Sequence, residues 1–228
     1  MGLLSDAWDF YTANRDLVDP AFWGHVKLSV TALLLAAVTG VLLGVACAKI
    51  GRAAAFVVTS IGNLGRTVPT FAVMGIVLTL STVGFWPAVI GLYLLAVPPI
   101  MLKTFTGIHE VDPGVVEASR GMGFRPLQIL GRVELPIAVP LISAGIRTAS
   151  VEVVATATLA GLVGGGGLGQ IVISGLDTGQ DDVLLAGAIP VALLALAAQI
   201  IFGGIERLPT PRGLRIARDL AINEGRIT

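Results

Sequence analysis

Three groups of polar side chains in this sequence have the types and spacing for a task. Thr148, Glu152 and Thr156 recur every fourth residue, so on a helix they share one face. In an apolar setting an acid on that face is costly unless it points into a bundle interior. The stripe reads equally as part of a path for polar or cationic solutes and as a structural contact to another helix. Arg66, Thr67, Pro69 and Thr70 make the second group, a base and two hydroxyls beside a helix-breaking proline. The third is Glu117-Ala118-Ser119-Arg120-Gly121-Met122-Gly123, which runs on to Val133-Glu134-Leu135-Pro136 and is the most charged interior segment of the chain. None of the three is a nucleophile–base set or a metal-ligand cluster, so the chain is assigned no catalytic and no metal-binding residues. The lone Cys47 lies in an apolar run and reads as a small core residue. Gly164-Gly165-Gly166-Gly167-Leu168-Gly169 lacks the strand context and the Lys-Ser/Thr of a phosphate loop, so no nucleotide is expected on this chain.

The elements that position these residues follow from composition. Of 228 residues 54% are hydrophobic and 13% charged, against about 25% charged in ordinary soluble domains. Mean hydropathy is +0.87. This is an integral membrane protein, all-α in class, and its zero net charge gives no global attraction to nucleic acid. Five spans are expected. The first runs from Leu28 to Ala48, bracketed by Lys27 and Lys49, at about the 20 residues a bilayer requires. From Ala53 to Leu102 only Arg66 is charged, a length suited to two spans, placed at 53–80 and 87–105 with Gly84 and Pro87 between them. Pro140 opens a fourth to about Leu162, and Val183 to Ile205 is the fifth. Residues 1–25, with Trp8, Phe10, Tyr11, Phe22 and Trp23, form an interfacial segment along the membrane surface. The acidic start lacks the basic region of a cleaved signal peptide. Residues 26–206 are the membrane domain and 207–228 a basic tail.

Within that frame Pro69 should kink or break the second span, because it removes a backbone hydrogen bond and disfavours helical geometry at Val68. Exposed backbone at mid-membrane is tolerated only where protein buries it or a wet cavity borders it. A gate in a pathway and a packing kink both fit; Arg66 either snorkels to the surface or faces the cavity. The third group should build an elbow over residues 110–134. Asp112 caps a short helix that Pro113 begins, Gly121 and Gly123 permit a sharp turn, and Arg125-Pro126 opens a second short helix toward Glu134. The glycine run should make a re-entrant turn into a short segment from Gln170 to Leu176, followed by an acidic loop with Asp177, Asp181 and Asp182.

Basic residues collect at Lys49 and Arg52, in and around the elbow (Lys103, Arg120, Arg125, Arg132) and in the tail; loops 81–86 and 164–182 have none. By the positive-inside rule the elbow and the C-terminus are cytoplasmic, and five spans then put the N-terminus outside. The elbow should meet a cytoplasmic partner.

The spacing of the third group, Glu117-Ala118-Ser119, a glycine four residues on, an aliphatic ten further, then x-Leu135-Pro136, resembles the EAA loop of ABC importer permeases. Thr67-Val68-Pro69-Thr70-Phe71-Ala72-Val73, Gly145-Ile146-Arg147-Thr148 and Gly167-Leu168-Gly169 narrow the resemblance to the osmoprotectant branch (glycine betaine, choline, carnitine), over residues 26–208. Arg66 and Glu152 depart from the neutral side chains expected there. The resemblance implies a type I importer bundle working as a homo- or heterodimer. Its partners would be two cytoplasmic ATPases, which hold the ATP and magnesium, and a separate extracytoplasmic solute-binding protein. It implies that Glu117, Ala118 and Ser119 form the docked face, that Gly121 and Gly123 shape the bend, and that Leu135-Pro136 sets the return into the membrane. Other expectations compete. The cargo could be methionine or another amino acid, or the chain could be an ion-coupled secondary transporter, although the inverted repeat such proteins carry is not evident. A purely structural membrane protein leaves the glycine and proline breaks unexplained.

Overall fold

The computed structural model describes residues 2–50, 58, 60, 70–80 and 83–207. They form α1 (Leu3–Ala13), α2 (Arg15–Ile50), α3 (Thr70–Leu80), α4 (Phe85–His109), α5 (Pro113–Gly121) and α6 (Pro126–Ile129). A π-turn (Leu130–Glu134) leads into α7 (Leu135–Thr156), a 3-10 turn (Ala157–Val163), α8 (Leu168–Thr178) and α9 (Asp181–Arg207). There is no strand among the described residues.

Four helical stretches among them are long and apolar enough to cross a bilayer: Arg15–Ile50, Phe85–His109, Pro126–Val163 and Asp181–Ile205. The fifth expected span, 53–80, lies mostly outside the described residues. Its end is α3, whose 11 residues rise about 16 Å, roughly half of a hydrocarbon core. The described spans therefore number four against the five expected.

Two boundaries differ from the sequence reading. The first long helix begins at Arg15, with Pro20 inside it, so much of the expected interfacial segment is already α2. Tertiary packing outweighs the proline: Val18 is fully buried against Leu168 and Ile171 of α8 and Val183 of α9, and Phe10, Tyr11 and Phe22 close over that cluster. The other boundary is Pro140, which falls inside α7 instead of opening it; the proline near the start of that helix is Pro136.

The core forms where α2, α4 and α7 meet. Helices in lipid gain little from hydrophobic exclusion, so close backbone approach and packing must hold them. Along α2 the buried Leu28, Ala32, Ala36, Gly40 and Gly44 recur every fourth residue. They face α4 so closely that a Cβ at Gly40 would lie 2.9 Å from Ile100 Cβ, and one at Gly44 2.6 Å from Thr104 Cβ. Ala149 and Val153 of α7 complete this core with Leu92 and Ala96 of α4.

After α7 the chain tightens into the 3-10 turn and reverses through the glycine run, where Gly164, Gly166 and Gly167 have φ of +67°, +80° and +82°. Gly165 N–H donates to Ala160 O at 2.8 Å, and Gly84 N–H donates to Val163 O at 3.0 Å, tying this reversal to the start of α4. The expected short segment after the glycines is α8. Asp181 and Asp182, expected in a loop, form the first turn of α9, where negative charge favours the positive end of the helix dipole.

Candidate functional site

The elbow is built from its caps. Asp112 Oδ1 accepts a hydrogen bond from Gly114 N–H at 2.7 Å, and Pro113 occupies the first turn of α5, as expected. At the other end Phe124 N–H donates to Ser119 O at 3.2 Å and Gly123 N–H donates to Arg120 O at 2.9 Å. With Gly123 at φ +82° this pairing is a Schellman cap, which stops α5 and turns the chain. Gly121 is the last residue of α5 and is not among the positive-φ glycines, so the bend belongs to Gly123 alone. Gln128 Oε1 then accepts from Arg125 N–H at 2.8 Å, which fixes the start of α6.

The elbow's surface mixes charge and grease. Glu117, Ala118, Arg120, Gly121 and Arg125 are exposed, beside Met122 at 68% and Leu127 at 81% exposure. Ser119 does not join Glu117 and Ala118 on that face: it is 3% exposed, with its hydroxyl donating to Val115 O at 2.8 Å. It holds α5 to its own underside.

The return into the membrane is not a second independent arm. From Pro126 the helix continues through the π-turn into α7, with Leu135 N–H donating to Leu130 O. Pro136 has no N–H to give to the preceding turn, which favours local rearrangement there. Leu135 is half-buried and Pro136 exposed. The π-turn turns Glu134 inward to 5% exposure, where its carboxylate pairs with Lys49 at the end of α2. Neither member of this pair stands out in the sequence. Lys49 reads as a span boundary and Glu134 as the variable position of the motif, and no local pattern links residues 85 apart.

The polar stripe lies elsewhere. Thr148 and Glu152 are exposed and Thr156 is half-buried at the end of α7, on the face next to the buried Ala149 and Val153. The shared face is real, open at Thr148 and Glu152 and partly covered at Thr156. Thr148 satisfies its hydroxyl on Ala144 O at 3.0 Å. Arg147 turns the other way, toward Gly203 of α9, where a Cβ would sit 3.7 Å from its Nη1. Thr70 is the first residue of α3. Arg66, Thr67 and Pro69, and with them the expected kink, lie outside the described residues.

A bent polar knob at one pole of the described apolar helices is thus the most developed feature among the described residues. Residues 40–210 match the family described as "Binding-protein-dependent transport system inner membrane component". The chain belongs to that family. Its membership makes it a membrane-embedded, multi-pass permease component of an ABC transporter, a transport subunit and not an enzyme. It is 38% identical over 210 residues to the carnitine transport permease protein OpuCB of Listeria monocytogenes, covering 92% of this chain and 96% of that one. It is 35% identical to the choline transport system permease protein OpuBB of Bacillus subtilis, over 86% of this chain and 90% of the relative. Among solved structures, an inward-facing form of the MetNI methionine ABC transporter superposes with a TM-score of 0.73 at 25% identity, covering 86% of this chain and 97% of that one. The permease family implies ATPase and substrate-binding partners and a second permease subunit.

Proposed function

We propose that this chain is the membrane permease of an ATP-driven importer for osmoprotectants, compact quaternary ammonium solutes such as carnitine, choline or glycine betaine. The observation that carries the cargo is the agreement among relatives: those at 34–38% identity are permeases for carnitine, choline and glycine betaine. The likeness to the MetNI structure favours methionine as the second reading, but at a lower identity of 25%.

In this reading two copies, or this chain and a close relative, form the pathway. Two ATPases bind the elbows from the cytoplasm, with ATP and magnesium held on the ATPases. A separate solute-binding protein delivers cargo from outside, and the C-terminus lies inside. Glu117 and Ala118 supply the docked surface with Met122 and Leu127, whose exposed apolar side chains are costly in water and suited to a protein cleft. Ser119 and Gly123 hold its shape, and Leu135-Pro136 joins it rigidly to α7. ATP-driven closure of the ATPases then tilts the spans between inward-open and outward-open forms.

The stripe Thr148, Glu152 and Thr156, exposed at its first two residues, fits a path completed by the second permease subunit, with Thr70 and the preceding Arg66, Thr67 and Pro69 as further path residues. Cation recognition commonly uses aromatic cages. Aromatic residues are 6% of the sequence, and in this reading selectivity falls mainly to the binding protein.

The test is reconstitution of the permease with its ATPase and binding protein in liposomes. ATP-dependent uptake of radiolabelled carnitine, choline or glycine betaine is expected, with methionine left outside, and Glu117→Lys should abolish co-purification of the ATPase. Methionine uptake alone would transfer the cargo to the second reading. Retention of the ATPase by Glu117→Lys together with Gly123→Pro would remove the elbow as the docking site.

A further inference from the structure

We propose that the Lys49–Glu134 ion pair is a positioning strut that makes the elbow and α2 move together, so that tilting of the elbow reaches the first long span. The inference rests on the elbow being the ATPase contact. It adds a route for the motion that the chain's covalent path does not provide. In sequence the elbow is continuous with α4 on one side and α7 on the other. Among the described residues, a side-chain ion pair ties α2 to the elbow's return across space, between Lys49 Nζ and Glu134 Oε2, 85 residues apart.

Three features make this pair a strut and not an incidental surface contact. First, Glu134 is 5% exposed. A carboxylate so far from water is costly unless a cation and hydrogen bonds compensate, and taking away its partner leaves an uncompensated buried charge. Second, its inward direction depends on the π-turn. A π-turn carries an extra residue, which offsets the phase of the downstream helix by about 100° relative to an unbroken α-helix. Glu134 is the last residue of that turn and immediately precedes Leu135-Pro136, so a change in elbow angle acts directly on it. Third, the space beside the pair is open. A cavity of about 270 Å³ lies between the elbow's two arms, bordered by Val116 and Arg120 of α5 and Leu127 of α6, and Lys49 is the described residue of α2 that borders it. The ion pair is a direct side-chain link between α2 and the elbow's return.

Lys49 is also in the last turn of α2, where its charge suits the negative end of the helix dipole. Its long stem could extend into water from there; it reaches Glu134 instead.

The experiment measures solute uptake and ATP hydrolysis together in liposomes containing the complete transporter. Lys49→Gln and Glu134→Gln are expected to lower solute moved per ATP hydrolysed by about tenfold, the size of a coupling between groups in direct contact. Lys49→Arg, which keeps the charge, should hold the ratio near that of the unaltered chain. The exchange Lys49→Glu with Glu134→Lys should recover most of the loss. A merely structural role would reduce uptake and hydrolysis in proportion to the assembled complex and leave their ratio unchanged. That result, or an unchanged ratio in Lys49→Gln with full assembly, overturns the proposal. Should Glu134→Gln fail to enter the membrane, the contrast between Lys49→Gln and Lys49→Arg decides alone, since the Lys49 side chain is 42% exposed and its replacement leaves the fold less disturbed. If the unaltered chain retains no ATPase, the docking reading itself falls and takes the strut with it, a result seen before any substitution is made.

Discussion

The turn between α5 and α6 needs a left-handed residue once, at Gly123 with φ +82°, while Gly121 ends α5 with open space where a Cβ would go. An L-residue with a side chain pays roughly 1–2 kcal/mol for that conformation, and asparagine tolerates it better than a branched residue. Gly123→Val is therefore expected to weaken ATPase co-purification strongly and Gly123→Asn mildly, at equal levels of protein in the membrane. Gly121→Ala should leave it unchanged and make α5 slightly more helical, since alanine exceeds glycine by about 1 kcal/mol in a helix. Equal effects at the two positions would mean that the bend is not set by the Schellman cap. The sequence contains both glycines and cannot say which one bends: spacing shows that a turn is permitted, whereas its hydrogen bonds decide which residue takes positive φ. Ser119 illustrates the same limit. Motif position groups it with Glu117 and Ala118, yet about 100° of rotation per residue carries it to the buried side.

Elements were legible where length and charge decide, and less so where packing decides. Uninterrupted apolar runs located four long helices, and Asp112-Pro113 and the glycine run located the elbow and the reversal. The start of α2 was not legible, because the contact that holds Val18 comes from α8 and α9, some 150 residues away in the chain. The seam between α2 and α4 stands in the sequence as small residues every fourth position, but only the structure gives its closeness. That closeness is testable. A Cβ on Gly44 would lie 2.6 Å from Thr104 Cβ and 2.7 Å from Met101 O, so the two helices must separate to admit it. Overpacking of this kind costs about 1–3 kcal/mol. Gly44→Val should lower the melting temperature of the purified permease in detergent by several degrees. Gly75→Ala, in α3 with nothing within 4 Å of its Cβ, should not. A Gly44→Val protein as stable as its parent would show that the seam is loose.

At the scale of the whole molecule the hydrogen-bonded ties sort the described structure into two poles. The Lys49–Glu134 pair brings the end of α2 together with the elbow and the start of α7, whereas the bond from Gly84 to Val163 brings the start of α4 together with the end of the 3-10 turn. The first pole carries Lys49, Arg120, Arg125 and Arg132, and the second carries the glycine reversal with Asp177, Asp181 and Asp182. Such polarity was readable in the sequence, because charge placement does not depend on packing. The neighbour of the stripe Thr148, Glu152 and Thr156 was not readable, because periodicity shows that residues share a face and is silent on the surface that covers it. Positive charge is retained on the cytoplasmic side during insertion, so the basic pole should face inward. With Cys47 replaced by alanine, a cysteine in place of the exposed Met122 should react with a membrane-impermeant maleimide only in inside-out vesicles, and one in place of the exposed Gln180 only in intact cells or spheroplasts. The reverse pattern would put the elbow beyond the reach of any cytoplasmic ATPase. The knob, its strut and the tilting of the spans would then have no source of motion, however well the geometry fits.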